Sequence, residues 1–312
     1  MVENHTDAPQ LFMIGADHRV DFCKDLVGSK DTPTAEEREQ AATLKRVVFD
    51  GLVSAIESGL PKSQAAIWTD PDIGEGVLLR AKAMSLGTAA SVENPGNGLG
   101  LSDVSGAWEA INRLDTTFAA ARISYNSGAP LAEREASQAQ LRALTERCRE
   151  SNRQLLIELT PVPTKRQLEE YGDESVQSVL LIEGIRQLQD AGVEPQVWAF
   201  EPPAERKAAA TITAQAYVDD RTSVTVLFMV GSDPDPDRIT VGPRRSERAV
   251  ARLAARTTGV GGLLIGPQAY FGQLARLQQG AKEHDEAASG IASHIRKLWE
   301  LFVEARHTSD VT

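Results

Sequence analysis

The sequence predicts an α/β protein built as a single (β/α)8 TIM barrel with a long C-terminal helix. Eight short apolar runs typical of strands alternate with longer segments that show helical periodicity. Parallel strands need crossover connections, and eight strand–helix units fit a closed barrel better than an open, doubly wound sheet. The open-sheet alternative expects a glycine-rich nucleotide-binding turn after the first strand, whereas Ala16-Asp17-His18-Arg19 follows it here.

The predicted strands are short and rich in aliphatic residues. The seventh is the longest and contains the most β-branched residues, which favour strands. In chain order, the eight strands cover Leu11–Gly15, Ala65–Trp68, Thr88–Val92, Ala119–Tyr125, Leu155–Leu159, Gln196–Phe200, Ser223–Val230 and Gly261–Ile265.

The predicted helices are identified by apolar spacing and by their end signals. The first stops at Gly59 with Pro61 beyond it, which is a typical helix end. The helices cover Thr34–Gly59, Glu75–Leu86, Ala132–Asn152, Glu174–Ala191, Ala204–Val218, Ser246–Arg256, Ala269–Gly280 and Glu283–Arg306. We therefore expect one barrel domain over residues 11–306, with disordered tails at 1–10 and 307–312.

The composition limits the kinds of partner. The 312 residues carry a formal net charge of -11, which disfavours nucleic acid and anionic membranes but allows a small substrate. Two widely spaced cysteines, Cys23 and Cys148, give neither a metal-ligand pattern nor a disulfide framework. The polar N-terminus lacks signal-peptide features, and no apolar run approaches the ~20 residues that cross a bilayer. We expect a cytoplasmic protein.

Polar side chains near the ends of the strands, on them or directly after them, are the candidates for a functional site. Barrel enzymes build their sites where strands end and βα loops begin, so these side chains should converge on one rim. The candidate catalytic residues are Asp17, His18, Arg19, Glu93, Glu158 and Glu201, and the candidate substrate-binding residues are Asp70, Asn94, Tyr125, Asn126 and Gln268. Structural pairing, for example of Arg19 with Glu93 or Glu158, explains single residues but explains the whole set less well.

Several short motifs also follow one another in a characteristic order. They include Ala16-Asp17-His18-Arg19 with Phe22, Val92-Glu93 with Gly96, and a long match over Leu188–Pro195 with Trp198 and Glu201. In this order, from about Leu11 to Phe302, the chain resembles the aldolase-type barrel of 2-deoxy-5-keto-gluconate 6-phosphate aldolases of inositol catabolism. It is more distantly similar to tagatose bisphosphate aldolases. The resemblance implies a carbon–carbon lyase that acts on a sugar-like keto substrate.

The departures from this family concern the lysines, one of which forms a Schiff base with the substrate. The family has lysines at three positions where this chain has Asn94, Ala120 or a neighbouring alanine, and Ala199. The family's phosphate-binding Gly-Arg-Thr is replaced by Gly266-Pro267-Gln268. A Schiff base needs a primary amine, which these side chains lack. The lysines that the chain does have are assigned to helices or loops, with Lys24 near the first loop: Lys24, Lys30, Lys45, Lys62, Lys82, Lys165, Lys207, Lys282 and Lys297.

Three functions follow from this pattern. The first is a lyase that works by carboxylate acid–base chemistry, with Arg19 polarising a carbonyl. The second is a metal-dependent lyase or isomerase, in which His18 with Asp17, Asp70 and Glu201 could hold a divalent metal, although no spacing motif supports it. The third is a non-catalytic aldolase homologue that binds a small sugar or a partner. Analogy from the fold also allows a homo-oligomer.

Overall fold

Eight parallel strands close into a barrel in the order of the chain, which confirms the predicted fold class. The computed structural model describes residues 10–17, 22–30, 32–92, 105–173, 175–231 and 246–309. The strands are β1 Leu11–Gly15, β2 Ala65–Thr69, β3 Gly87–Ser91, β4 Phe118–Tyr125, β5 Gln154–Pro161, β6 Val197–Phe200, β7 Thr225–Val230 and β8 Val260–Ile265. Each of them overlaps its predicted counterpart.

Helices surround the barrel and connect its strands. They are α1 Ala35–Glu57, α2 Glu75–Ala83, α3 Ser105–Leu114, α4 Leu131–Glu150, α5 Lys165–Tyr171, α6 Val176–Asp190, α7 Arg206–Ala216, α8 Glu247–Arg256, α9 Phe271–Gln278 and α10 His284–Ser309. A π-helical segment covers Phe22–Val27, and single 3-10 turns cover Lys62–Gln64 and Pro267–Ala269.

Two helices were not predicted, and the last helix is longer than expected. The helix α3 was not predicted, although it buries Trp108 and Ile111 on one face. The short helix α5 was also missed. It begins with a capping box in which Thr164 and Gln167 satisfy each other's backbone N–H groups. The last helix extends to Ser309, three residues beyond its expected end at Arg306.

The barrel interior is filled by small and aliphatic side chains that alternate along each strand. Trp68, Phe118 and Leu156 are among the larger members of this inner core, and alanines of β2, β3, β4 and β6 fill the space between them. The larger outer core lies between the strands and the helices. The long helix α10 packs across α1 and α8. The ring of Phe302 on α10 meets the ring of Phe12 edge-on, with a centroid distance of 5.2 Å.

The barrel closes between β8 and β1, where Leu11 and Gly262 are register partners. A Cβ atom at Gly262 would lie 1.9 Å from the carbonyl oxygen of Leu11, so a larger residue would force the two strands apart. Glycine at this position therefore permits the closing strand pair. Among the described residues, no helix is both long enough and apolar enough to span a bilayer.

Candidate functional site

A charged cluster lies inside the barrel at the carboxyl ends of the strands. Arg122 on β4 and Glu158 on β5 are register partners, and Arg122 Nε donates to Glu158 Oε1 at 2.9 Å. Arg122 Nη1 lies 3.6 Å from Oδ2 of Asp17, which follows β1. The two carboxylate side chains are only 5% and 2% exposed, whereas that of Arg122 is 26% exposed. A partly exposed guanidinium thus joins two buried carboxylates.

Two further side chains hold Asp17 in place. Trp68 Nε1 donates to Ser91 Oγ at 2.9 Å, and the Ser91 hydroxyl donates to Asp17 Oδ1. The indole N–H can only donate and a carboxylate can only accept, so the serine hydroxyl accepts from Trp68 and donates its proton to Asp17. The Trp68 ring also faces the guanidinium of Arg122, with its centroid 5.2 Å from Cζ. We call Asp17, Trp68, Ser91, Arg122 and Glu158 the mouth cluster.

Burying the charged groups of the mouth cluster is energetically unfavourable, so their presence favours a functional role. Removing two carboxylates and a guanidinium from water costs free energy that their mutual attraction only partly returns. These charges are held in fixed positions with little water around them, so they interact strongly with a bound molecule. A guanidinium can bind and polarise a carbonyl or carboxylate oxygen, and a nearby carboxylate can move protons.

The structure brings together two of the predicted catalytic residues, Asp17 and Glu158. Glu201 is half-buried directly after β6, and its backbone carbonyl accepts a hydrogen bond from Gln177 Nε2 at 3.1 Å. Gln268 is exposed in the turn that follows β8. Four predicted site residues lie outside the described residues: His18, Arg19, Glu93 and Asn94.

Tyr125 does not lie with the mouth cluster, which corrects its assignment to the substrate site. It is an odd number of positions from Arg122 along β4, so its side chain projects to the opposite, helix-facing side. There its hydroxyl donates to Gln187 Oε1 on α6 at 2.9 Å and accepts from Gln138 Nε2 on α4 at 2.8 Å. Burial raises the pKa of the Tyr125 phenol above its ordinary value. Tyr125 therefore links two helices.

Asn126 connects two loops at the same end of the barrel. Its Nδ2 donates to Gln167 Oε1 at 2.9 Å, and Gln167 Nε2 donates back to Asn126 Oδ1 at 3.0 Å. Asn126 Nδ2 also donates to the carbonyl of Val162 at 2.7 Å. These bonds join the loop after β4 to the loop after β5, so the amide's observed role is to hold the rim in shape.

Asp70 forms a buried ion pair with Lys45, and both side chains are 0% exposed. Lys45 Nζ also donates to the carbonyl of Ala16 at 2.7 Å and to Thr69 Oγ1 at 3.1 Å. Lys45 lies on helix α1, as expected for a lysine of this chain, and its ammonium group is buried directly behind the peptide that leads into Asp17. The observed contacts of Asp70, which also accepts from Ile73 N at 2.6 Å, give it a structural role.

The two strand positions where the resemblance implies lysines face the barrel interior. Ala120 and Ala199 are fully buried members of the inner core. Ala120 is the register partner of Ser91, and Ala199 is that of Glu158. An amine at either position would thus have adjoined the mouth cluster, where this chain has methyl groups.

Arg122, Ser91 and Trp68 were not predicted. Like Glu158 they lie within strands, where the direction of a side chain follows from strand register. One feature of the sequence could have identified Arg122, because it is a charged residue in an otherwise apolar strand. It lies two positions from the inward-facing Ala120, so both side chains face the barrel interior. Among the described residues, no three His, Cys, Asp or Glu side chains come together as metal ligands would.

Comparisons with known proteins agree with the barrel. A family model described as "uncharacterized protein conserved in bacteria (DUF2090)" matches residues 1–306. A search of curated proteins found no match. Among solved structures, the YdjI aldolase of Escherichia coli K12 is 9% identical with a TM-score of 0.51, covering 94% of this chain and 91% of that one. This likeness shows a shared fold.

Two further solved structures match with lower TM-scores. Triosephosphate isomerase from Bartonella henselae is 16% identical with a TM-score of 0.48, covering 93% of this chain and 99% of that one. Deoxyribose phosphate aldolase from Aeropyrum pernix is 11% identical with a TM-score of 0.42, covering 84% and 96%.

Proposed function

The chain belongs to the bacterial DUF2090 family, and on this premise we propose that it is a carbon–carbon lyase that acts on a sugar-like keto substrate without a Schiff base. The observation that carries the proposal is the guanidinium of Arg122 between the buried carboxylates of Asp17 and Glu158. The resemblance to 2-deoxy-5-keto-gluconate 6-phosphate aldolases and the barrel shared with YdjI aldolase support the reaction class.

The distances suggest different roles for the two carboxylates. Glu158 accepts directly from Arg122 at 2.9 Å and so fixes the guanidinium, whereas Asp17 lies 3.6 Å from it. We assign the role of proton carrier to Asp17 and the orienting role to Glu158. Arg122 replaces the Schiff-base lysine as the group that stabilises negative charge.

The proposed cleavage is a retro-aldol reaction on a β-hydroxy ketone. Asp17 takes the proton of the β-hydroxyl, the bond between the α and β carbons breaks, and an aldehyde is released. The electron pair moves into an enolate whose oxygen lies against Arg122, and the proton on Asp17 returns to the enolate carbon. Predicted residues at the same rim are proposed to complete the substrate site: His18, Arg19, Glu93, Asn94, Glu201 and Gln268.

The test is aldehyde release from a panel of keto sugar acids, with and without phosphate, followed by NMR. We expect Arg122→Gln to lower kcat/KM by roughly 100- to 1000-fold, as loss of one oxyanion donor does elsewhere. Asp17→Asn should lower kcat with little change in KM. Arg46→Gln is the matched control, because Arg46 bonds Glu39 and Thr43 on the surface and is 40% exposed.

Two companion measurements separate the alternatives. Borohydride trapping with the same panel should give no adduct by intact mass, and an adduct would instead recover a Schiff-base mechanism. Activity that is lost with chelator and restored by a divalent ion would favour the metal-dependent lyase. Binding of the panel without turnover, weakened by Arg122→Gln, would identify a non-catalytic sugar-binding homologue and reject the lyase.

A further inference from the structure

The peptide that leads into Asp17 is held from the helix side of the barrel wall. Ala16 directly follows β1, and its N–H donates to the carbonyl of Trp68 at 2.8 Å. Its carbonyl accepts from Lys45 Nζ at 2.7 Å and from Thr69 Oγ1 at 3.1 Å. The side chain of Ala16 packs in the outer core, whereas that of Asp17 joins the mouth cluster. The ammonium group of Lys45 and the Asp17 carboxylate thus act on the same short segment from opposite sides of the sheet.

The contacts of Lys45 keep it out of the mouth. An ammonium group has three N–H bonds, and the three acceptors around it are the Ala16 carbonyl, the Thr69 hydroxyl and the Asp70 carboxylate. The ring of Phe22 lies over it, with the centroid 5.2 Å from Nζ. The side chain is fully buried. Any influence of Lys45 on a molecule bound at the mouth therefore has to pass through the peptide that it holds.

Stability by itself is a weak explanation for this buried pair. Apolar side chains of similar volume often replace a buried ion pair without loss of stability, because desolvation offsets the attraction. They cannot supply a donor to the carbonyl of Ala16. The carboxylate of Asp17 accepts from Ser91 and lies 3.6 Å from Arg122 Nη1, so a small displacement of the peptide changes both contacts. At a reacting centre, a displacement of about 1 Å can lower a rate by roughly 100-fold.

We propose that Lys45 is a positioning residue for Asp17. Its ammonium group fixes the carbonyl of Ala16 from behind the sheet, and this keeps the Asp17 carboxylate on the Ser91 hydroxyl and beside Arg122. The kinetic consequence rests on the proposed function, in which Asp17 carries the proton. The geometric consequence does not, because the contact between Asp17 and Ser91 can be followed without any turnover.

The indole N–H of Trp68 reports on Asp17, since Trp68 donates to Ser91 and Ser91 donates to Asp17. Its NMR resonance is identified by its loss in Trp68→Phe, and its displacement in Asp17→Asn marks the loss of the carboxylate contact. Lys45→Met alone leaves a buried charge and is prone to unfold, so the test variant combines Lys45→Met with Asp70→Asn. We expect this double variant to fold and to shift the Trp68 resonance in the direction seen in Asp17→Asn.

Kinetics give a second measurement on the same variants. With a substrate that turns over, the double variant should lower kcat by roughly 10- to 100-fold with little change in KM. It should have no further effect on kcat when Asp17→Asn is already present, because the group that it positions is then gone. Gly51→Ala is the control for lost stability, since Gly51 lies on the same helix and its added Cβ would meet Ile291. It should change neither the Trp68 resonance nor kcat.

The outcomes separate this inference from the proposed function. The positioning role is overturned if the double variant leaves the Trp68 resonance at its wild-type position, or if Gly51→Ala moves the resonance equally far. It is also overturned if Asp17→Asn lowers kcat and the double variant does not. Absence of turnover in the wild-type protein would reject the lyase alone, and the Trp68 resonance would still decide the role of Lys45.

Discussion

Removing the ammonium group of Lys45 should destabilise the barrel more than the loss of an ordinary surface ion pair. In Lys45→Met the aliphatic stem is retained, but Asp70 keeps a buried charge without its cation. The carbonyl of Ala16 and the hydroxyl of Thr69 also lose the donor that now lies 2.7 and 3.1 Å away. Breaking one partner of a buried pair costs about 3–5 kcal/mol, or roughly 2 °C in Tm for each kcal/mol in a chain of this size.

Urea unfolding followed by circular dichroism measures this loss, with two further variants as references. Lys82→Met removes a pair with Asp115 whose side chains are 45% and 59% exposed, so it should cost less than about 1 kcal/mol. Adding Asp70→Asn to Lys45→Met removes the uncompensated charge and should recover more than half of the loss. If Lys45→Met is no less stable than Lys82→Met, or if the double variant recovers nothing, the burial argument is refuted.

Two other predictions concern packing and alkaline pH. Gly51→Ala should destabilise the protein by roughly 1–3 kcal/mol, because its Cβ would lie 2.6 Å from Ile291 Cγ2. Gly76→Ala meets nothing within 4 Å and should raise the free energy of unfolding by about 0.5 kcal/mol, as measured by urea unfolding. Equal effects of the two changes would contradict the packing. Burial raises the pKa of Cys148 from 9.0 and that of Tyr217 from 10.0, each to about 12. The protonated forms of these two groups therefore contribute their full stability below pH 9, and this contribution is lost as the pH rises towards 12. Tyr217→Phe should shift the pH midpoint of alkaline unfolding upwards. An unchanged midpoint would contradict this prediction.

Strand patterning determines much of the architecture before any coordinates are known. Eight apolar runs with helical crossovers leave few arrangements for a parallel sheet, and all eight runs form strands where they were expected. The missed helix α3 follows residues 93–104, a stretch rich in glycine and asparagine whose composition is typical of a loop. The helix itself is stabilised mainly by burial of residues such as Trp108, which local propensity does not reveal.

The site could be predicted only in part, since strand register and side-chain parity decide which residues meet. Asp17 and Glu158 were expected at one rim, but Arg122, which joins them, lies within β4 and meets Glu158 only through the pairing of β4 with β5. Tyr125 was expected beside them, yet the alternation of β4 turns it towards the helices.

The sequence by itself determined the eight strands in their order, the net negative charge and the absence of lysines at Ala120 and Ala199, because these depend on local pattern and residue identity. Only the tertiary structure decided that Lys45 lies buried behind the mouth and that Arg122 joins two carboxylates. Such contacts form between residues far apart in the chain, and closure of the barrel fixes their distances.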